Sequence, residues 1–415
     1  MDNKQNIVKK EDFIFGLDVG SSKINLFGGR IEGDSVRVIE CGDYNLTKPD
    51  NIDEQIECLK EAATLLEDAT SVDVHDIYVG IAGSHVLSFK SKGILTLPTG
   101  EVRDCDIEEI VKQASTIAEA AGEIIHVFPG DFTLDGQSGI KNPKGWSGKR
   151  LEVDVQIVSA RSNVIKNLAK TVERAGMNVA GFVLEPLAAA CAVLTDDERE
   201  LGVAVIDIGA GSADVAVFLG TNSTVRYTAS LDLAGDCITR DISKCLKVPI
   251  PLSKAEEVKR KYGTCKISNL IEDATFPVPA IGERPEMECS QKLLAQVINA
   301  RVQEIFTLLA NDMKKNHVDS LVNGGIVLTG GCCNLDGIDA IAEKVFNKPA
   351  RIGHPKGMTG IQDAYQRPSY ATGIGLLYFA AKQRRENKRH ETGTQIAVTV
   401  KKFGQRLKDL IKIYF

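Results

Sequence analysis

Residues Leu201–Leu219 read LGVAVIDIGAGSADVAVFL. Two runs rich in Val and Ile flank the turn Asp207-Ile208-Gly209-Ala210-Gly211-Ser212-Ala213-Asp214, the pattern of a β-hairpin. Gly209 and Gly211 let a ligand approach the backbone closely, and successive N–H groups in such a turn cradle an anion. Asp207 ends the first strand, where a carboxylate can hold a hydrated Mg²⁺ beside phosphates. Taken alone, the same Asp and Gly residues also serve a hairpin that does turn chemistry and nothing else.

The stretch has a counterpart. Phe13–Phe27, FIFGLDVGSSKINLF, repeats strand, turn and strand around Asp18-Val19-Gly20-Ser21-Ser22-Lys23. Two copies about 190 residues apart predict two similar half-molecules, each holding one side of a triphosphate. In this the chain resembles the actin/Hsp70/sugar-kinase ATPase superfamily, whose two phosphate hairpins look like these. The resemblance implies ATP and Mg²⁺ as cofactors.

With 415 residues and 43% hydrophobic composition, the chain can bury several cores and is expected to form more than one domain. No apolar run reaches about 18 residues, so no spanning helix is expected. The start, MDNKQNIVKKEDF, lacks the apolar stretch of a signal peptide. Ten cysteines are scattered without CxxC pairs, as in a reduced cytoplasmic protein. Cys332 and Cys333 read as buried structural thiols, since no His or Cys partner lies nearby in sequence. Net charge is −6; ten Lys or Arg against three Asp or Glu from Lys382 onward give that tail +7 and leave −13 on the body. An acidic body argues against nucleic-acid binding.

Along the chain, Ser35–Tyr44 reads as a strand and Ile52–Glu67 as a helix with Ile56, Leu59, Ala63 and Leu66 on one face. Val86–Leu97 and Glu123–Leu134 are strand-like, Asp104–Ala121 helical, and Leu151–Ala160 alternates as a half-exposed strand around the polar turn region 135–150. These predict a small inserted α+β subdomain. A helix over Asn163–Ala175 and a strand over Gly181–Leu184 precede Glu185-Pro186-Leu187-Ala188-Ala189-Ala190. There Pro opens a helix of small residues that can pack closely; an ordinary acidic helix start reads the same. Ser253–Tyr262 is a charged helix with a solvated face, Asn269–Glu288 is irregular, and Leu293–Asn316 is a long amphipathic helix. In NGGIVLTGG, a buried strand runs into Gly330-Gly331, which suits either a flat purine contact or a tight strand-to-helix turn. Tyr370–Arg385 closes the body as a helix in which Gly373 and Gly375 permit close packing.

From Phe13 to the C-terminus, the order of hairpin, insertion, Glu-Pro helix, second hairpin and GIVLTGG resembles the FtsA family of actin-like cell-division proteins. HVFPGDFTLDGQSGIKNPKGWSGKRLEVDVQIV, EPLAAACAVLT, AEEVKRKYG and GGIVLTGG carry that resemblance. It implies an α/β, actin-like, two-lobed ATPase fold with an inserted α+β subdomain and a C-terminal amphipathic helix. The expected layout is 12–85 with 163–200 as one lobe, 86–162 as the insertion, and 201–231 with 317–382 as the other lobe. Residues 232–316 form its small subdomain, 383–399 a linker, and 400–415 the terminal helix. By resemblance Glu185 places Mg²⁺ or the attacking water, Asp18 and Asp207 face the metal, and Gly20, Ser21, Ser22, Lys23, Gly209, Gly211 and Ser212 meet the phosphates. Gly235, Glu256, Lys259, Gly330 and Gly331 are carried over to the nucleoside. Ala210, Ser212 and Ala234 stand where the family has Gly, Thr and Gly, which implies slow hydrolysis at most.

On a helical wheel Val400, Phe403, Leu407, Leu410, Ile411, Tyr414 and Phe415 share an arc of roughly 140°, with Lys401, Lys402, Arg406, Lys408, Asp409 and Lys412 opposite. Such a helix suits the headgroup plane of an anionic membrane, although docking on the body would also hide its apolar side. The expected function is an ATP-binding adaptor that joins filaments of the tubulin-like protein FtsZ, through their C-terminal tails, to the cytoplasmic side of the inner membrane. It works with other division proteins, helps assemble the septum, and self-associates head to tail into filaments. A pilus-assembly adaptor and a small-molecule kinase of the same superfamily are the alternatives. A chaperone of that superfamily would carry a long substrate-binding domain after the ATPase.

Overall fold

The computed structural model describes residues 10–48, 51–116, 122–220, 224–246, 249–267, 274–278, 287–360 and 363–391. The chain opens with the hairpin β1 (Phe13–Val19) and β2 (Lys23–Glu32), then β3 (Ser35–Asn45), α1 (Ile52–Thr70) and β4 (Asp76–Ile81). The insertion follows as β5 (Val86–Thr96), α2 (Asp104–Ser115), β6 (Glu123–Leu134), β7 (Gln137–Ile140) and β8 (Arg150–Ala160). After it come α3 (Ser162–Arg174), β9 (Asn178–Leu184), α4 (Glu185–Val193) and α5 (Asp196–Leu201). The second half repeats the opening with β10 (Val203–Ile208), β11 (Ala213–Leu219) and β12 (Thr224–Leu231). Then come α6 (Gly235–Cys245), α7 (Leu252–Tyr262), β13 (Thr275–Val278), β14 (Met287–Ser290) and α8 (Gln291–Lys315). β15 (Ile326–Thr329), α9 (Ile338–Phe346), β16 (Ala350–Ile352) and α10 (Ala371–Glu391) complete it.

Two five-stranded sheets carry the same connectivity. Their orders are β3-β2-β1-β4-β9 and β12-β11-β10-β15-β16, antiparallel within each opening meander and parallel from its first strand onward. This is the internal duplication that the two hairpins predict. Every residue of β10 is buried, which suits a central strand covered on both faces and explains why it reads as a continuous apolar run rather than an alternating one. α4 and α10 belong to one core that also takes side chains from both sheets. Small residues bring the two helices together: a β-carbon at Gly375 would overlap the Ala188 carbonyl, and one at Gly373 the Phe27 ring.

The insertion is a sheet of order β5-β8-β6-β7 with α2 on one face and a core of its own around Val127, Phe132, Val153, Val155 and Ile157. Its helix is described from Asp104 to Ser115; the remainder of the expected span to Ala121 lies largely outside the described residues.

Two elements differ from the sequence reading. The segment expected to be irregular contains the two-stranded ribbon β13–β14, whose strands are four residues each and too short for a periodic signal. α10 runs on to Glu391, past the expected start of the linker at 383, because KQRRENKRHE is rich in residues of good helix propensity. α8 is long and apolar enough to cross a membrane. Its stripe of Leu294, Ile298, Val302, Ile305, Phe306 and Leu309 is instead packed into the second lobe's core.

Candidate functional site

The two hairpin turns are built alike. Gly20 N–H donates to the Lys23 carbonyl at 2.9 Å, and Gly209 N–H to the Ser212 carbonyl at 3.0 Å. A β-carbon on Gly20 or Gly209 would meet only that same carbonyl within 4 Å, so the face of each glycine is otherwise open. The turns face each other, since a β-carbon on Gly211 would run into the Ser21 side chain. α6 starts against the second turn: Gly235 N–H donates to the Gly209 carbonyl at 3.1 Å and Asp236 N–H to the Ala210 carbonyl at 2.8 Å. This places a helix N-terminus, favourable to anions, beside the turn.

Four carboxylates converge at the base of the turns. Asp207 is pushed up to about 7, first by burial and then by the charges of Asp18 and Asp214, against a 2.7 Å hydrogen bond donated by Thr372 Oγ1. Burial raises Asp18 as well, while Lys23 and Asn25 hold it down. Glu185, at the start of α4, is raised well above the usual carboxylate range by burial and by Asp18, Asp214 and Asp207. Burial also raises Asp214, against hydrogen bonds from Ser212 and Gly83. Like charges in a shared low-dielectric space favour a bound cation. No group of three or more His, Cys, Asp or Glu side chains among the described residues can hold a metal alone. The all-oxygen donor set therefore fits a cation that keeps most of its waters and leans on phosphate oxygens.

Lys23 sits beside the first turn, but its ammonium is engaged elsewhere. It lies 3.9 Å from Asp43 Oδ2 and 4.3 Å from the centre of the Tyr370 ring, and Tyr370 Oη donates to the same Asp43 oxygen at 2.6 Å. Glu256 and Lys259 form a closed cluster. Lys259 Nζ donates to Glu256 Oε2 (2.6 Å), Thr239 Oγ1 (2.8 Å) and the Gly235 carbonyl (3.1 Å). Burial works to raise Glu256, yet Lys259 and hydrogen bonds from Thr239 and Arg260 hold it below the usual range. A β-carbon on Gly330 (φ +91°) would strike Asp207 and the Ile208 carbonyl, whereas one on Gly331 meets nothing within 4 Å. Gly330 thus anchors the strand end to the hairpin, and Gly331 leaves an open face.

Sequence reasoning assigned no role to Asp214 or Thr372, which border these residues. Asp214 faces Asp207 across the turn in the observed register, a pairing that the hairpin pattern could have suggested; Thr372 is 165 residues from Asp207 and gave no signal. Cys332 donates its thiol to the Gly209 carbonyl at 3.2 Å and Cys333 to the Thr329 carbonyl at 2.8 Å. Burial pushes Cys332 up to about 11, so both are protonated structural thiols, as expected. Val400, Phe403, Leu407, Leu410, Ile411 and Tyr414 lie outside the described residues.

The model of the family "Cell division protein FtsA" matches residues 204–375, and that of the "SHS2 domain inserted in FTSA" matches 83–159. The chain is 36% identical over 380 residues to the cell division protein FtsA of Pseudomonas aeruginosa, covering 90% of each. It is 31% identical over 417 residues to that of Escherichia coli K12, covering 97% of this chain and 98% of the other. Among solved structures, the PilM-PilN type IV pilus biogenesis complex aligns with TM-score 0.62 at 16% identity, over 89% of this chain and 98% of that one. MreB5 of Spiroplasma citri bound to ADP aligns with TM-score 0.57 at 14% identity, over 92% and 99%. At such identities these two share the fold alone.

Proposed function

The chain belongs to the FtsA family of cell-division proteins, and on that premise we propose that it is an ATP-binding adaptor tethering FtsZ filaments to the cytoplasmic side of the inner membrane at the division site. The observation that carries the nucleotide half is the pair of matched turns, with open faces at Gly20 and Gly209 above a cluster of carboxylates. In this reading Asp18 and Asp207 face the water shell of Mg²⁺. Ser21, Ser22, Gly209, Gly211 and Ser212 meet the phosphates, and Lys23 joins them by leaving Asp43. Gly235, Glu256, Lys259 and the open side of Gly331 border the nucleoside. Mg²⁺ would supply charge neutralisation for the phosphates and the surrounding carboxylates.

Glu185 is the candidate to orient water. Burial and the charges of Asp18, Asp214 and Asp207 raise it well above the usual carboxylate range, and a base poised that far from its ordinary value is poorly matched to activating water. No second catalytic group adjoins it in the cluster above, so hydrolysis is slow. The surface of residues 232–316 receives the FtsZ tail, by family resemblance. The chain self-associates head to tail, and Val400–Phe415 lies in the membrane surface, which gathers other division proteins at the septum. The pilus-adaptor alternative has only a fold likeness at 16% identity behind it.

ATP titration in the presence of Mg²⁺ tests the site. Gly20→Val and Gly209→Val should each weaken binding about a hundredfold or more, by filling the open faces with a side chain. If both variants titrate like the parent protein, the assignment of the cleft is wrong. For the partner surface, crosslinks from an FtsZ tail peptide that map only to Val86–Ser159 would refute the assignment.

A further inference from the structure

Asp214 stands opposite Asp207 in the β10–β11 register, and its two oxygens face different parts of the molecule. Oδ2 accepts from Ser212 Oγ at 2.6 Å, inside the second turn. Oδ1 accepts from Gly83 N–H at 3.0 Å, on the far side of the cleft. Gly83, with φ +101°, follows β4, and its carbonyl accepts from Val86 N–H, the first residue of the insertion, at 3.0 Å. The chain leaves the insertion at the same place, where Arg161 N–H donates to the His85 carbonyl at 3.1 Å. Both crossings into the insertion therefore meet in one turn, and a carboxylate of the other lobe holds that turn by a backbone hydrogen.

We propose that Asp214 is a positioning residue that couples occupancy of the second phosphate turn to the placement of the inserted subdomain. The proposal rests on the nucleotide reading above. A serine hydroxyl carries one hydrogen. When a phosphate oxygen takes the hydrogen of Ser212, Asp214 Oδ2 loses that donor in the company of Asp232, whose charge already works against it. The carboxylate then leans more heavily on its remaining donors, Gly83 N–H and the Ser230 hydroxyl, and a charge-assisted bond shared among fewer donors shortens and strengthens. The insertion also touches both sides of the cleft away from this turn. His126 Nε2 accepts from Leu184 N–H at 3.0 Å, and Asp131 pairs with Arg226 of β12 at 3.6 Å. A shift at the root is thus a shift of the whole insertion against two fixed contacts.

Hydrogen–deuterium exchange of the full chain with Mg²⁺, with and without saturating ATP, tests the coupling. Exchange across 81–90 should slow about tenfold with ATP in the parent protein. Asp214→Ala, held at an ATP concentration that protects 207–214, should lose the response at 81–90, and Asp214→Asn, which keeps an acceptor for Gly83 but neither the charge nor the acceptor for Ser212, should lose most of it as well. The proposal fails if ATP protects 207–214 in the parent protein but leaves 81–90 unchanged, a result that needs no variant to fold. It also fails if Asp214→Ala keeps the full response, or if that variant binds no ATP, since Asp214 then belongs to the site itself. Absence of any ATP effect at both turns of the parent protein overturns the nucleotide reading beneath it, and is recognisably a different result.

Discussion

His126 shows how one side chain fixes the pH behaviour of the fold. Its Nε2 accepts from Leu184 N–H, so the proton sits on Nδ1, which is buried without a hydrogen-bond partner against Phe128 and Phe379. Burial pulls the imidazole down to about 3. Its stabilising contribution is therefore complete above the unfolded value of about 6.5 and is lost as the solution is acidified below it, by roughly 1 kcal/mol per pH unit. Urea midpoints at about pH 7 and pH 5 should fall more for the parent protein than for His126→Gln; equal falls would show that the ring protonates freely in the folded state. Asp207 has the opposite sign. Its raised value makes the fold less stable as pH climbs from about 4 to 7. Removing the donor at Thr372 by Thr372→Val should cost about 1–2 kcal/mol in urea unfolding, because Asp207 is left with a buried oxygen unmatched. Asp207 could be singled out in sequence, since it ends a strand that runs into a glycine-bearing turn. Thr372 was not, because nothing local distinguishes a threonine near a helix start that happens to meet a carboxylate from another strand.

At the level of elements, the glycines divide into those that pack and those that face open space. Gly375→Val should destabilise by about 3 kcal/mol or more, through overlap of α10 with the Ala188 carbonyl of α4. Gly331→Val should leave the melting temperature within about 2 °C and weaken nucleotide binding instead. A matched loss of stability in both would erase the distinction. The strands were readable wherever a run is long and apolar, as in β10, or alternates, as in β8. The β13–β14 ribbon was not: four residues, one of them Pro277, hold too few positions for a period to emerge. For residues 400–415, proposed to lie in the membrane surface, Leu410→Glu should abolish pelleting with anionic vesicles, whereas Asp409→Lys should pellet as well as or better than the parent. Equal pelleting of all three would indicate docking on the body.

For the molecule as a whole, two sheets of the same order contribute to one shared core, and the insertion is rooted at a turn bonded to the second hairpin. That duplication could be read in advance because both hairpins keep their Asp-x-Gly spacing. The contacts between insertion and lobes could not, since they join residues remote in sequence and include backbone groups that carry no identity. The crowded carboxylates predict slow chemistry: steady-state turnover should stay far below the 1–100 per second of kinases, and a rate of tens per second would restore the kinase alternative.

One consequence lies along α10. It begins with Thr372 bound to Asp207 and runs without interruption to Glu391, about 30 Å at 1.5 Å per residue. The start of this rod is clamped by Gly373 and Gly375 between Phe27 and α4, while its far end hands on to the segment that precedes Val400. A pull on the chain beyond Glu391 would therefore reach the core that α4, α10 and both sheets share, and through Thr372 the carboxylate at the base of the cleft. On the proposed reading, mechanical load on the tether and the state of the cleft would act on opposite ends of one strut.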